Sequence, residues 1–135
     1  MESLTVFTPA YNRAHTLGRT YKSLCAQSNK DFIWMVVDDG STDHTRQLVE
    51  GWKKENCGFK IVYIYKENGG MHTAHNTAYE NITTPLNVCI DSDDIMAPGA
   101  VEKILSFWKA HGGDRYAGII ALDATFGNQV IGKDL

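Results

Sequence analysis

The chain has 135 residues, which is enough for one domain with a buried core and short for two. Hydrophobic residues make up 43% of it and charged residues 21%, proportions typical of a globular protein, so a disordered chain is excluded. The formal net charge is -3 and no run of Lys or Arg is present, which excludes nucleic acid as a partner.

The N-terminus and the cysteines indicate a compartment. "MESLTVFTPAYNR" is too short and too polar for a signal peptide, and no apolar stretch approaches the roughly 18–20 residues of a membrane span. Cys25, Cys57 and Cys89 have no CxxC spacing, which is typical of isolated, reduced thiols. The sequence therefore predicts a cytoplasmic protein.

Strands and helices alternate along the chain. Four short segments rich in β-branched and aromatic residues predict buried strands: "LTVF" (4–7), "FIWMVV" (32–37), "KIVYIY" (60–65) and "LNVCI" (86–90). Apolar residues at helical spacing predict four helices between and after them, with these inward faces: Leu17, Tyr21, Leu24 and Cys25; Leu48, Val49 and Trp52; Met71, Ala74, Ala78 and Tyr79; Val101, Ile104, Leu105 and Trp108. A fifth run, "YAGIIALDATF" (116–126), predicts a further strand. The alternation predicts an α/β fold with a mainly parallel sheet flanked by helices.

Polar clusters follow each of the four strands. They are "TPAYNR", "DDGSTD", "KENGG" and "DSDD", in chain order. Ligands bind outside the carboxyl ends of the strands in open α/β sheets, so we expect the four clusters to meet at one crevice. Each also has a plainer interpretation: "DDGSTD" can be a glycine turn that caps a helix through Asp43, "ENGG" a simple turn, and Tyr11 and Arg13 ordinary surface residues.

The "DSDD" cluster predicts a cation site. In extended backbone, Asp91 and Asp93 are two residues apart and point to the same side. Two carboxylates facing one cavity suit Mg²⁺ or Mn²⁺, which complete their shells with water and substrate phosphates. The alternative is a solvated acidic turn. His72 and His75, three residues apart on a helix, could form a transition-metal pair, but we favour hydrogen-bonding roles beside the crevice because no third ligand is near them in sequence.

Together these motifs resemble the N-terminal half of family-2 glycosyltransferases, which have the Rossmann-like, nucleotide-binding GT-A fold. "TPAYNR", "VVDDGSTD", "ENGGMHTAHN" and "CIDSDD" stand in the order of that family over residues 4 to 110. The resemblance implies a single domain over residues 1–135 that carries the nucleotide-sugar-binding part, with the acceptor-binding half absent.

The resemblance also implies roles for residues. Thr8, Pro9, Ala10 and Tyr11 would hold the base and ribose of a UDP-sugar, followed by Arg13, and Asp39 would accept a hydrogen bond from the base. The segment with Asn68, Gly70, His72 and Asn76 would lie near the ribose and sugar. Asp91, with Ser92 beside it, would meet the ribose or the donor sugar. Asp93 would ligate Mn²⁺ or Mg²⁺ on the diphosphate, and Asp94 would be an alternative or supporting ligand.

Two departures from the family pattern stand out. Many members have Arg where this chain has His75, so a permanent cation near the diphosphate is replaced by a group that titrates near neutrality. No general-base motif is recognisable around Asp114, Asp123 or Asp134, so we expect the base beyond Leu135 and no catalytic residue within the chain. The isolated chain is then expected to be inactive.

The sequence therefore predicts a metal-dependent glycosyltransferase, inverting at the family level, that acts in polysaccharide or cell-envelope glycan synthesis. Its expected partners are the nucleotide-sugar donor and a glycan, lipid-linked or other hydroxyl acceptor. We also expect the full-length enzyme to associate peripherally with a membrane and the chain to self-associate. The alternatives are a nucleotidyltransferase, disfavoured because "TPAYNR" lacks a glycine-rich triphosphate loop, and a non-catalytic nucleotide-sugar-binding module.

Overall fold

A computed structural model describes residues 3–55, 57–110, 120–122 and 129–131. The elements are β1 (Leu4–Ala10), α1 (Ala14–Cys25), β2 (Phe32–Asp39), α2 (Thr45–Glu55), β3 (Lys60–Lys66), α3 (Met71–Asn81), β4 (Leu86–Cys89), α4 (Ala100–Ala110), β5 (Ile120–Leu122) and β6 (Gln129–Ile131). All four predicted helices and all five predicted strands have a counterpart among these elements. No helix in this part of the chain has the length and apolar character needed to cross a membrane.

The strands form one sheet in the order β3-β2-β1-β4-β6-β5. β1 pairs in parallel with β2 and with β4, and β2 pairs in parallel with β3, as the sequence predicts. Strand β6 was not predicted; it pairs antiparallel with both β4 and β5. Because the chain winds from β1 outward to β3 and then returns to the other side of β1, the order reverses between β1 and β4, and a crevice opens at such a point.

Helices cover both faces of the sheet. Strand side chains such as Val6, Trp34 and Val88 form the larger core cluster with α1, α2 and α4. The alternate side chains, among them Phe7 and Val37, pack against Ala74 and Ala78 of α3. Successive side chains of a strand point to opposite faces of the sheet and so enter different core clusters. Both faces are therefore apolar, which is why the sequences of these strands are continuous apolar runs.

Several local expectations were wrong. Strand β1 extends three residues beyond its predicted end, so Thr8 and Ala10 are fully buried strand residues, and the Thr8 hydroxyl accepts a 2.9 Å hydrogen bond from Trp34 Nε1. Met71 was expected on the inward face of α3, but it is 43% exposed and is absent from the core. Tyr79, on the same predicted face, is 50% exposed, yet its ring packs edge-on against the buried Phe7 ring with centroids 5.4 Å apart. The thiols are not all isolated, because Cys25 and Cys57 lie 2.6 Å apart, sulfur to sulfur.

The rest of the predicted strand at 116–126 lies outside the described residues, as do Asp114, Asp123 and Asp134.

Candidate functional site

A pocket of about 430 Å³ opens at the carboxyl ends of β1 and β4. Its wall is formed by Pro9, Tyr11, Arg13, Met71, Asp91, Ser92 and Asp93. Two of the four predicted clusters, "TPAYNR" and "DSDD", line this cavity, whereas "DDGSTD" and "KENGG" contribute no residue to its wall. The first residue of α3, Met71, lies in the wall directly after "KENGG". Met71 was not among the predicted site residues, because a methionine at helical spacing reads as core.

The acidic cluster is a turn and not an extended segment. The Asp94 amide donates to the Asp91 carbonyl at 3.0 Å, which closes a turn with Ser92 and Asp93 at its centre. The premise that Asp91 and Asp93 face one side in extended backbone was therefore wrong. The turn nevertheless brings one carboxylate oxygen of each of Asp91, Asp93 and Asp94 within 4.8 Å of the others.

Helix α1 holds this turn through its backbone carbonyls. Thr16 Oγ1 donates to the Ser92 carbonyl at 3.0 Å, and Thr20 Oγ1 donates to the Asp94 carbonyl. These hydroxyls fix the turn without using any carboxylate. No ion pair engages the three carboxylates within the part of the chain that the structure describes.

The electrostatics of the turn favour a cation. Burial raises the pKa of Asp94, and the neighbouring carboxylates of Asp93 and Asp91 raise it further. Like charges at this spacing repel each other, and a divalent cation between them would relieve that repulsion. Carboxylate oxygens are also the ligands that Mg²⁺ and Mn²⁺ prefer, so the residues present fit such an ion.

Asp39, the last residue of β2, does not line the pocket and has an exposed fraction of 1%. Its Oδ1 accepts hydrogen bonds from Lys66 Nζ at 2.7 Å and the Gly69 amide at 3.0 Å. Its Oδ2 accepts from the Gly70 amide at 3.0 Å and Asn68 Nδ2 at 3.2 Å. Burial alone would raise the pKa of Asp39, but these donors outweigh burial and hold it below its usual value. Asp39 thus fixes the turn that starts α3.

The remaining predicted residues lie around this turn, away from the pocket wall. Asn68, His72 and Asn76 are exposed, and Gly70 adopts φ 100° immediately before α3. His75 is not at the pocket wall: its Nδ1 donates to the Met71 carbonyl at 2.9 Å, and its ring meets the Phe7 ring edge-on. Its expected place beside the diphosphate therefore stays a prediction without a contact to support it.

Two residues that shape the site were missed. Lys66 reaches Asp39 from the last position of β3, and Asn12 joins the loops that follow β1 and β2 through its side chain. The signal for Asn12 was its type, since Asn tolerates a left-handed backbone in tight turns. The signal for Lys66 was its place at the start of the "KENGG" cluster, but no role followed from it, because its partner Asp39 is distant in sequence.

A mainly parallel sheet with an acidic turn at its reversal point is the arrangement of GT-A glycosyltransferases. The chain matches the family described as glycosyl transferase family 2 over residues 5–127, and it belongs to that family.

Named relatives agree with this assignment. The chain is 34% identical over 104 residues to a putative teichuronic acid biosynthesis glycosyltransferase, TuaG, of Bacillus subtilis, covering 77% of this chain and 41% of TuaG. The chain superimposes on the crystal structure of S. aureus TarS 1-349 in complex with UDP-GlcNAc with a TM-score of 0.74 at 28% identity, and the match covers 82% of this chain and 32% of TarS 1-349. The mannosyltransferase PcManGT of Pyrobaculum calidifontis, in complex with GDP-Man and Mn²⁺, gives 0.71 at 25% identity, covering 80% and 32%. The chain spans less than half of each of these proteins.

Proposed function

We propose that this chain is the donor-binding part of a metal-dependent, inverting glycosyltransferase that uses a UDP-sugar in the cytoplasm for cell-envelope polysaccharide synthesis. The observation that carries the proposal is the acidic turn, whose three carboxylates meet within 4.8 Å beside a pocket walled by Tyr11 and Arg13. The complex of TarS 1-349 with UDP-GlcNAc supports the donor, and the likeness to the putative teichuronic acid biosynthesis glycosyltransferase TuaG supports the pathway class.

In this proposal Asp93 holds Mn²⁺ or Mg²⁺, with Asp94 as a second or supporting ligand. When bound, the ion stabilises the negative charge that grows on the departing diphosphate. Asp91 meets the ribose or the donor sugar. The Tyr11 ring, 41% exposed at the pocket wall, packs on the base, and Arg13 faces the phosphates.

Transfer begins when an acceptor hydroxyl oxygen attacks the anomeric carbon. The bond from that carbon to the β-phosphate oxygen breaks, and the nucleoside diphosphate leaves. The base that takes the hydroxyl proton is none of the residues assigned here. In the bound donor, Asp39 accepts a hydrogen bond from the nucleobase. This contact requires one of the four hydrogen-bond donors now on Asp39 to give way to the nucleotide.

Calorimetric titration of UDP, with Mn²⁺ and with a chelator, tests the proposal. Because the diphosphate and the acidic turn repel each other, we expect affinity to fall about tenfold or more without metal. Asp93→Asn should remove most of this metal dependence and leave uridine binding unchanged. Asp31→Asn, an exposed acid at the start of β2, is the matched control and should behave as the wild type. Equal UDP affinity in both conditions would exclude Asp93 as a metal ligand.

A further inference from the structure

The loop between β1 and α1 contains an unusual backbone conformation. Asn12 has φ 53°, and it is the one non-glycine residue with positive φ among the described residues. Its neighbours Tyr11 and Arg13 both lie in the pocket wall, whereas Asn12 is half-buried and contributes nothing to that wall. A strained residue between two pocket residues calls for interactions that hold it.

Those interactions come from the loop between β2 and α2. Asn12 Oδ1 accepts hydrogen bonds from the Thr42 amide at 2.8 Å and the Asp43 amide at 3.2 Å. The Asn12 amide in turn donates to Ser41 Oγ at 2.8 Å. One side chain and one amide of the first loop therefore bind three consecutive residues of the second.

Asp43 of the second loop also accepts a hydrogen bond from the end of the first loop. Its Oδ2 accepts from the Ala14 amide at 3.1 Å, at the start of α1, and its Oδ1 accepts from the Thr45 amide at 3.0 Å, at the start of α2. One carboxylate thus caps two helices whose N-termini come from different loops. We call Asn12, Ala14, Ser41, Thr42 and Asp43 with these bonds the loop clamp.

We propose that Asn12 is a positioning residue for nucleotide binding: through the loop clamp it fixes the directions in which Tyr11 and Arg13 enter the pocket. This inference rests on the proposed function, because Tyr11 and Arg13 are the residues assigned there to the base and phosphates. Asn12 itself touches no nucleotide. Its contribution is to hold two contacts in place before the donor arrives.

Asn12→Gly isolates this role. Glycine adopts positive φ without strain, so the substitution removes the side-chain acceptor and leaves the backbone conformation accessible. We expect amide hydrogen exchange at Thr42 and Asp43 to become at least about tenfold faster, since their acceptor is gone. UDP affinity in the presence of Mn²⁺ should fall about tenfold, while the melting temperature stays close to that of the wild type.

Asn29→Gly is the matched control. Asn29 Oδ1 accepts from the Asp31 amide at 2.8 Å in the loop before β2, at the opposite end of the strands. This variant should speed exchange at Asp31 and leave both Thr42 exchange and UDP affinity unchanged. Asn12→Asp retains an acceptor oxygen and tolerates positive φ, so it should restore the protection and bring UDP affinity to within about threefold of the wild type.

The outcomes separate the two proposals. If the wild type binds no UDP, the proposed function fails, and the exchange data still report whether the loop clamp exists. If the wild type binds UDP and Asn12→Gly binds it equally well, the positioning role is wrong although the function stands. Equal loss of affinity in Asn12→Gly and Asn29→Gly would also overturn it, because that pattern reports general destabilisation.

Discussion

Asp39 shows why a carboxylate, and not an amide, is required at the end of β2, beside the turn that starts α3. Its two oxygens accept four hydrogen bonds from a lysine, an asparagine and two backbone amides. An asparagine at this position would have one acceptor oxygen, and its NH₂ group would face donors. The negative charge also balances Lys66, so that neither group is buried without a partner.

Asp39→Asn should therefore lower the free energy of unfolding by about 2–4 kcal/mol at pH 7. The pKa of Asp39 lies below its ordinary value of 3.8 in the folded state, so its contribution is fully present above that value and is lost as the pH falls below it. Asp43, whose pKa is also lowered, contributes in the same direction.

Urea denaturation of the wild type and the variant at pH 7 and pH 3 measures this effect. The variant should lose less stability between the two pH values than the wild type does. Asp31→Asn should follow the wild-type curve. Parallel pH dependences for wild type and Asp39→Asn would show that the lowered pKa of Asp39 does not contribute to acid sensitivity.

At the scale of the elements, β1 shows what the sequence can and cannot predict. The largely apolar run from Leu4 to Phe7 predicts a strand, but "TPA" does not, because proline cannot donate to a ladder. The structure shows why the proline is tolerated. The Phe7 carbonyl accepts from the Ile90 amide on the β4 side, and the backbone of Pro9, two residues on, faces the same side, where β4 has already ended at Cys89. The N–H that proline lacks would point into the open crevice, so no ladder hydrogen bond is lost.

The site was predictable to the same depth. The meeting of "TPAYNR" and "DSDD" followed from their places at the carboxyl ends of strands, although the other two clusters do not line the pocket. The turn at Asp91 to Asp94 and the partners of Asn12 and Lys66 depend on contacts between loops that are distant in sequence. No local pattern encodes those contacts.

Gly40, the residue after β2, supplies a test at this scale. It has φ 79°, and a Cβ placed there would lie 2.7 Å from the Asn68 backbone nitrogen. Gly40→Ala should cost about 2–4 kcal/mol of folding free energy, from the left-handed backbone and from displacement of the neighbouring loop.

Gly51→Ala is the control, since that glycine lies within α2 and, apart from the surrounding backbone of the helix, no atom lies within 4 Å of the added Cβ. It should raise stability by about 0.5–1 kcal/mol through helix propensity. Chemical denaturation measures both variants. If Gly40→Ala is as stable as the wild type, the two loops do not approach each other as described.

For the whole molecule, the pocket lies at the carboxyl edge of a sheet that has helices on both faces. The chain covers 41% of TuaG and 32% of TarS 1-349, so more than half of each of those proteins is not matched by it. The proposed function also assigns no residue to the general base or to the acceptor. General-base catalysis typically contributes about 10²–10⁴-fold to a rate, and positioning of the acceptor can contribute more.

We therefore expect the 135-residue chain to bind UDP and transfer no sugar at a detectable rate. Incubation with UDP-sugars and candidate hydroxyl acceptors, with release of UDP as the readout, measures this. Slow release that is independent of acceptor would be donor hydrolysis by water. Acceptor-dependent release that is abolished by Asp123→Asn or Asp134→Asn would show that the chain contains its own base.

The strand order also determines when the site can exist during folding. Leu4 pairs with Phe32 on one side and with Leu86 on the other, so the contact between β1 and β2 closes a short loop and that between β1 and β4 a long one. Longer loops cost more entropy to close, and non-local pairings form slowly. On a ribosome, the segment from β1 to β3 can associate before the acidic turn has been synthesised. Metal affinity would then appear only when β4 docks, which makes it a reporter of the last step in assembling the parallel sheet.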